Sequence, residues 1–169
     1  MSLHGDLLLQ ARQLATREPR RPRQASLRRA ISTAYYALFH LLISEATSRL
    51  VTGSGRDRLR HSLGRAFVHS AMREAAHGFA RNRISPKVGP ALAGAALQPQ
   101  LVSVAAAFVD LQQARHEADY DTARRFTRRK CLDLVAQAEQ AFADWNAIGS
   151  SLQADVFLVA LLAQKRMQI

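Results

Sequence analysis

The chain contains one cysteine, Cys131, which excludes an internal disulfide and any zinc site built from several thiolates. It has no apolar run near the ~20 residues of a membrane-spanning helix; the longest, Val156 to Ala163, falls far short. Asp6, Arg12 and Glu18 interrupt the first eighteen residues, a pattern that a secretory leader does not show. Alternating apolar–polar runs and Asn-Gly or Asp-Gly pairs are missing too, which leaves little room for a β-sheet. These absences lead to the expectation of a soluble, cytoplasmic, all-α protein with no membrane contact. Lysine is also scarce: 21 of the 24 basic residues are Arg, against 13 acidic residues, for a formal net charge of +11. Part of that Arg excess is what a GC-rich coding sequence would produce. The rest favours a phosphate-bearing partner, because the planar guanidinium holds phosphate oxygens in bidentate pairs.

What is present is ordinary globular material. At 48% hydrophobic and 22% charged residues, the chain is not a disordered polyelectrolyte. It is long enough to form one domain over residues 1–169, and a chain of this size buries roughly 70% of its unfolded surface. Thirty alanines favour helix. The stripe Leu7, Leu8, Ala11, Leu14 and Ala15 predicts a helix from Leu3 to Arg17, ended by Pro19-Arg20-Arg21-Pro22-Arg23. A long helix follows from Gln24 to Val51, closed by Gly53-Ser54-Gly55. Leu59, Leu63, Ala66, Phe67 and Ser70 predict a single helix from Arg56 to Arg81. Residues 82–99 hold Pro86, Gly89, Pro90, Gly94 and Pro99 and read as a loop with one short turn. Helices are then expected from Gln100 to Glu117, from a cap at Asp119 or Asp121 to Ala147, and from Leu152 to Gln168. The expected fold is an antiparallel bundle of about five to six helices, with its core over 24–147 between an N-terminal helix in 1–18 and a C-terminal helix in 152–168. That last helix is apolar nearly all round, so either the bundle or a second subunit covers it.

Two constellations carry polar chemistry. On the long helix, Leu27, Ile31, Ala34, Leu38, Leu41 and Leu42 form an apolar face, and Arg29, Ser32, Thr33, Tyr36, His40 and Thr47 fall in a strip about 100° wide opposite it. The strip is either a solvated face or, given the crowding of Tyr35, Tyr36, Phe39 and His40, an interhelical polar site. The second is Arg115-His116-Glu117-Ala118-Asp119-Tyr120-Asp121, which combines a cation, three acids, a phenol and a residue of the type that changes charge near neutral pH. Capping of the following helix accounts for Asp119 and Asp121, but not for Arg115 and Tyr120. Arg124, Arg125, Arg128, Arg129 and Lys130 come next, as two like-charged i,i+4 pairs on the expected helix. They read as a solvated face or as a track for a nucleic-acid backbone. His61, His69 and His77 do not converge on a metal, since each eight-residue step drifts about 80° around a helix. No metal and no cofactor are expected.

The segment Arg28-Arg29-Ala30-Ile31-Ser32-Thr33-Ala34-Tyr35-Tyr36-Ala37-Leu38-Phe39-His40 resembles the signature helix of HEPN domains, in the branch with an Ala-Tyr-Tyr-Ala-x-Phe-His core. Arg115 with Ala118-Asp119-Tyr120 resembles the second motif of that branch, and the resemblance covers roughly residues 24 to 142. It implies a helical bundle, commonly a homodimer. It further implies a metal-independent endoribonuclease of toxin–antitoxin, defence or RNA-processing systems, often with a nucleotidyltransferase partner. Family members that cut RNA carry an Arg, four to six residues, then a His. Here Tyr120 stands at that distance from Arg115 and the neighbouring histidine is His116. On the catalytic reading, Arg115 would neutralise the phosphorane, His40 or His116 would act as acid and base, and Tyr120 would donate a hydrogen bond, with Tyr36 and Asp119 in support and Arg124, Arg125, Arg128 and Arg129 on the RNA backbone. On the alternative reading the chain is a non-catalytic HEPN module that binds RNA, a nucleotide or the partner protein.

Overall fold

The computed structural model describes residues 2–167. Seven α-helices run through the described residues and no strand occurs among them: α1 (Leu3–Thr16), α2 (Gln24–Leu50), α3 (Asp57–Gly64), α4 (His69–Ala80), α5 (Pro99–Tyr120), α6 (Arg128–Ile148) and α7 (Leu152–Ala163). Short 3-10 turns occupy Gly89–Leu92 and Gln164–Arg166. The fold is an all-α helical bundle, as expected. None of the helices among these residues is long and apolar enough to cross a membrane. The chain divides into two compact units, one of Met1–His40 and Ala107–Ala143 and the other of Leu41–Ala106 and Asp144–Ile169.

In the first unit, α1 starts at Ser2, whose hydroxyl accepts the Gly5 N–H (3.3 Å), and it buries Ala11 and Ala15. The small side chains allow close helix packing. From α2, Leu27, Ile31, Ala34, Tyr35 and Leu38 are fully buried, together with Phe108 and Leu111 of α5 and Cys131, Val135 and Ala138 of α6. Each such leucine or isoleucine contributes roughly 1.5–3 kcal/mol relative to exposure. The solvated-face reading of the α2 strip fails at Ser32 and Thr33, which are buried, as is Thr47 in the second unit. Arg29 is exposed, and Tyr36 and His40 are half-buried.

Two expected boundaries are corrected in this unit. Helix α5 continues three residues past Glu117, to Tyr120, and α6 begins at Arg128, with residues 121–127 as a turn. Asp119 therefore caps nothing. Asp121 instead accepts the N–H groups of Ala123 and Arg124 (3.0 and 3.1 Å), and Thr127 caps α6 by accepting the Lys130 N–H (3.1 Å). Because Arg124 and Arg125 precede the helix, they form no i,i+4 pairs with Arg128 and Arg129 on it.

In the second unit, the single helix expected over 56–81 is two. Helix α3 stops at Gly64 and Val68 is extended (φ −114°, ψ 124°) before α4 starts. The break buries Phe67, while Leu59 stays 56% exposed. A Cβ at Gly64 would lie 3.3 Å from Ile43 Cγ2, so the glycine permits the close approach of this segment to the end of α2. The loop at 82–98 holds one short turn, as expected, pinned by buried Val88 and Leu92. Helix α7, capped by Ser151, packs along α4, and Phe157 meets Phe79 edge to face at 4.9 Å. Its residues Ala154, Val156, Phe157, Leu158, Ala160 and Leu161 are buried within this chain. It ends at Ala163, before the expected Gln168, which lies outside the described residues.

Candidate functional site

Within the first unit, α2 presents an i,i+4 row of Gln24, Arg28, Ser32, Tyr36 and His40, and each of the first four meets α5 or the turn after it. Ser32 Oγ donates to Asp119 Oδ1 at 2.5 Å. Asp119 Oδ2 lies 2.7 Å from Arg115 Nε, one turn back on α5. That contact is an ion pair without hydrogen-bond alignment, since the buried Nε finds no well-directed acceptor. Arg115 Nη2 donates to the Tyr36 hydroxyl at 3.0 Å. The guanidinium stands 5.6 Å from the Tyr36 ring centre and 5.4 Å from that of Tyr120, within cation–π range of both. The interhelical polar site is thus the correct reading of this part of α2.

The Arg115 side chain is 21% exposed and that of Asp119 27%. Burial alone would lower the Arg115 pKa, but Tyr36, Asp119 and Tyr120 outweigh it and hold the group above its ordinary value. The cation is permanent, oriented and partly neutralised by its own carboxylate. Tyr120 completes the outer side: it is 63% exposed, and its ring centre lies 5.1 Å from that of exposed His116. His40 lies one turn beyond Tyr36, with ring centres 6.4 Å apart, and packs edge-on against Phe39. Its pKa is lowered, first by burial and then by His4, so its imidazole is neutral at pH 7. Of the two candidate histidines, His116 is the one that stands against the Arg115–Tyr120 stack. Tyr35 belongs to the core, where it packs on Tyr36, Phe39 and Phe108.

The basic residues after the site take different roles. Arg125 and Arg129 are exposed, and Arg124 is exposed with Glu117 at 3.5 Å. Arg128 is structural: its guanidinium donates to the carbonyl oxygens of Pro19 (2.6 Å) and Glu18, which ties the segment after α1 to the start of α6.

Sequence reasoning missed two residues of the row. Arg28 donates to the carbonyls of Ala118 (2.7 Å), Asp121 (2.9 Å), Thr122 (3.5 Å) and Arg124 (2.5 Å), and stacks 5.5 Å from the Phe126 ring centre. Gln24 pairs with the Phe126 backbone in both directions, at 2.8 and 2.9 Å. The four-residue spacing was the available signal for both.

The cluster offers a fixed cation, a largely exposed phenol ring and an exposed imidazole side by side, suited to a phosphate and an unstacked base. Among the described residues, no three His, Cys, Asp or Glu side chains gather as metal ligands. No family model, curated protein or solved structure matches this chain.

Proposed function

We propose that the chain is a HEPN-type RNA-associated protein that holds RNA at the C-terminal end of α5. The observation that carries this reading is Tyr120, an aromatic ring left 63% exposed beside a permanent cation and followed at once by exposed Arg124, Arg125 and Arg129. A solvent-facing aromatic in basic surroundings is the arrangement on which an unpaired base stacks while its backbone is neutralised. The net charge of +11 draws a polyanion to the chain in the first place. A homodimer and a nucleotidyltransferase-type partner come with the HEPN resemblance and belong to the same proposal.

A second reading, metal-independent RNA cleavage, draws on His116 standing 5.1 Å from Tyr120. A base would take the 2′-hydroxyl proton, O2′ would attack phosphorus, Arg115 would neutralise the phosphorane, and an acid would protonate the departing 5′-oxygen.

One experiment addresses both. Binding of a fluorescent 12-nucleotide single-stranded RNA is followed by anisotropy at fixed salt with EDTA present, for the wild type, Tyr120→Ala and His116→Ala, and each reaction is then run on a denaturing gel. Without the ring to stack a base on, binding weakens by about 5- to 150-fold, with the melting temperature unchanged because the ring is exposed. Equal affinity of the wild type and Tyr120→Ala sinks the assignment to Tyr120. RNA cut by the wild type and left whole by His116→Ala selects the ribonuclease, and intact RNA throughout selects the binding module.

A further inference from the structure

The segment between α1 and α2 is a second run of arginine that takes no part in the Arg115–Tyr120 cluster. Arg17, Arg20, Arg21 and Arg23 are all exposed, and Pro19 and Pro22 restrict the backbone that carries them. After α5, Arg124, Arg125, Arg129 and Lys130 are exposed as well. The two runs lie about a hundred residues apart in sequence, yet Arg128 joins them through the carbonyls of Glu18 and Pro19. Gln24 clasps the Phe126 backbone, and Arg28 holds the Arg124 carbonyl, so the turn is fastened to the first turns of α2. The acids within the two runs are engaged locally: Glu18 accepts from Ser26 Oγ (2.8 Å) and the Arg23 N–H (3.3 Å), and Asp121 accepts from Ala123 and Arg124 N–H. The fold therefore gathers eight exposed cations around one fastened junction, with Glu117, 3.5 Å from Arg124, and Glu18, which attracts Arg17 and Arg23, to offset part of their mutual repulsion.

We propose that these two runs form one continuous phosphate-binding surface, and that its ligand is a single-stranded RNA whose backbone crosses from the turn after α5 to the arginines at 17–23. This rests on the RNA-binding reading of the α5 terminus. A single strand is favoured over a duplex because exposed Tyr120 ends α5 next to the same turn, and a base must be unpaired to stack on it. The prolines hold the arginines of the first run near one arrangement, which lowers the ordering cost on binding.

The test uses the full chain and the same 12-nucleotide RNA, titrated at about 50 to 200 mM salt. Arg20, Arg21 and Arg23 are changed together to Ala, Arg125 and Arg129 are changed together to Ala, and a control changes Arg58, Arg81 and Arg83, which are exposed in the other unit, to Ala. Each phosphate that is no longer neutralised reduces the slope of log K against log[salt] by about 0.7, so reductions of up to about 2 and about 1.4 are expected for the first two variants. The control should leave the slope as in the wild type. An equal reduction in the control means that binding follows net charge, which overturns the surface. A normal slope for the 20–21–23 variant beside a reduced slope for the 125–129 variant overturns the continuous surface and leaves the RNA-binding reading standing. Tighter binding of a duplex of the same sequence overturns the single-strand assignment. Failure of the wild type to bind either RNA overturns the RNA-binding reading itself.

Discussion

The character of the site comes from single side chains placed in each other's fields. Arg115 keeps its charge although burial opposes it, because two phenols and the Asp119 carboxylate surround it. Asp119 owes its position to Ser32, a buried hydroxyl whose partner lies 87 residues away. Cys131 is the opposite case: burial pushes its thiol up to about 11, so it is a core residue and not a nucleophile. His40 makes stability depend on pH. Its folded pKa lies below the ordinary 6.5, so between those two values the unfolded chain holds more protons at this residue than the folded one. Stability therefore rises with pH through that window and falls on acidification. Thermal melts between pH 5 and 8 should show this slope in the wild type and a flatter one in His40→Gln; parallel curves would count against His40 as its source.

Among the elements, α2 is the organiser. The same helix offers Leu27, Ile31, Leu38 and Leu42 to the core and its i,i+4 row from Gln24 to Tyr36 to α5 and the turn after it. Each step of four drifts only about 40° around a helix, so the four residues from Gln24 to Tyr36 stay within about 120° of one another and share one side. Helix α6 depends on a local device, the Thr127 hydroxyl on the Lys130 N–H. Thr127→Ala should cost about 1 kcal/mol, read as a drop in melting temperature of about 2–4 °C for a chain of this size. No shift would show that contacts elsewhere hold the helix start. Boundaries set by such nearby groups were legible: α1 and α2 are found within one residue of the expectation, because Pro19, Pro22 and Gly53 punctuate them. The break at 65–68 and the turn at 121–127 were not legible.

For the molecule as a whole, charge is held in place by hydrogen bonds of high sequence separation. Arg128 reaches back 109 and 110 residues to Pro19 and Glu18, and its Nε is buried without a hydrogen-bond partner. Arg128→Ala takes the donor from the exposed Pro19 carbonyl, which water can then satisfy, and from the half-buried Glu18 carbonyl, and should cost about 1 kcal/mol. The same change should raise hydrogen exchange of amides at both joined segments, residues 17–23 and 124–130. Destabilisation with exchange unchanged there would show that other contacts hold the segments together. The Arg12–Glu139 pair between α1 and α6 is exposed, and high salt should weaken it first.

The all-helical character, the long helix α2, the loop at 82–98 and the concentration of polar chemistry around Tyr36 and the Arg115 segment were already written in the order of the residues. Helix propensity, proline breaks and four-residue spacing act over one or two turns, so a local reading finds them. Folding in three dimensions was needed to settle whether the α2 strip faced solvent or a partner, because amphipathic periodicity marks a polar side without saying what covers it. It converted Asp119 from a cap into a carboxylate held between Ser32 and Arg115. It also divided five neighbouring basic residues into one structural guanidinium and four exposed charges. Each of these outcomes depends on a hydrogen-bond partner about a hundred residues distant, and no local pattern encodes where such a partner will arrive.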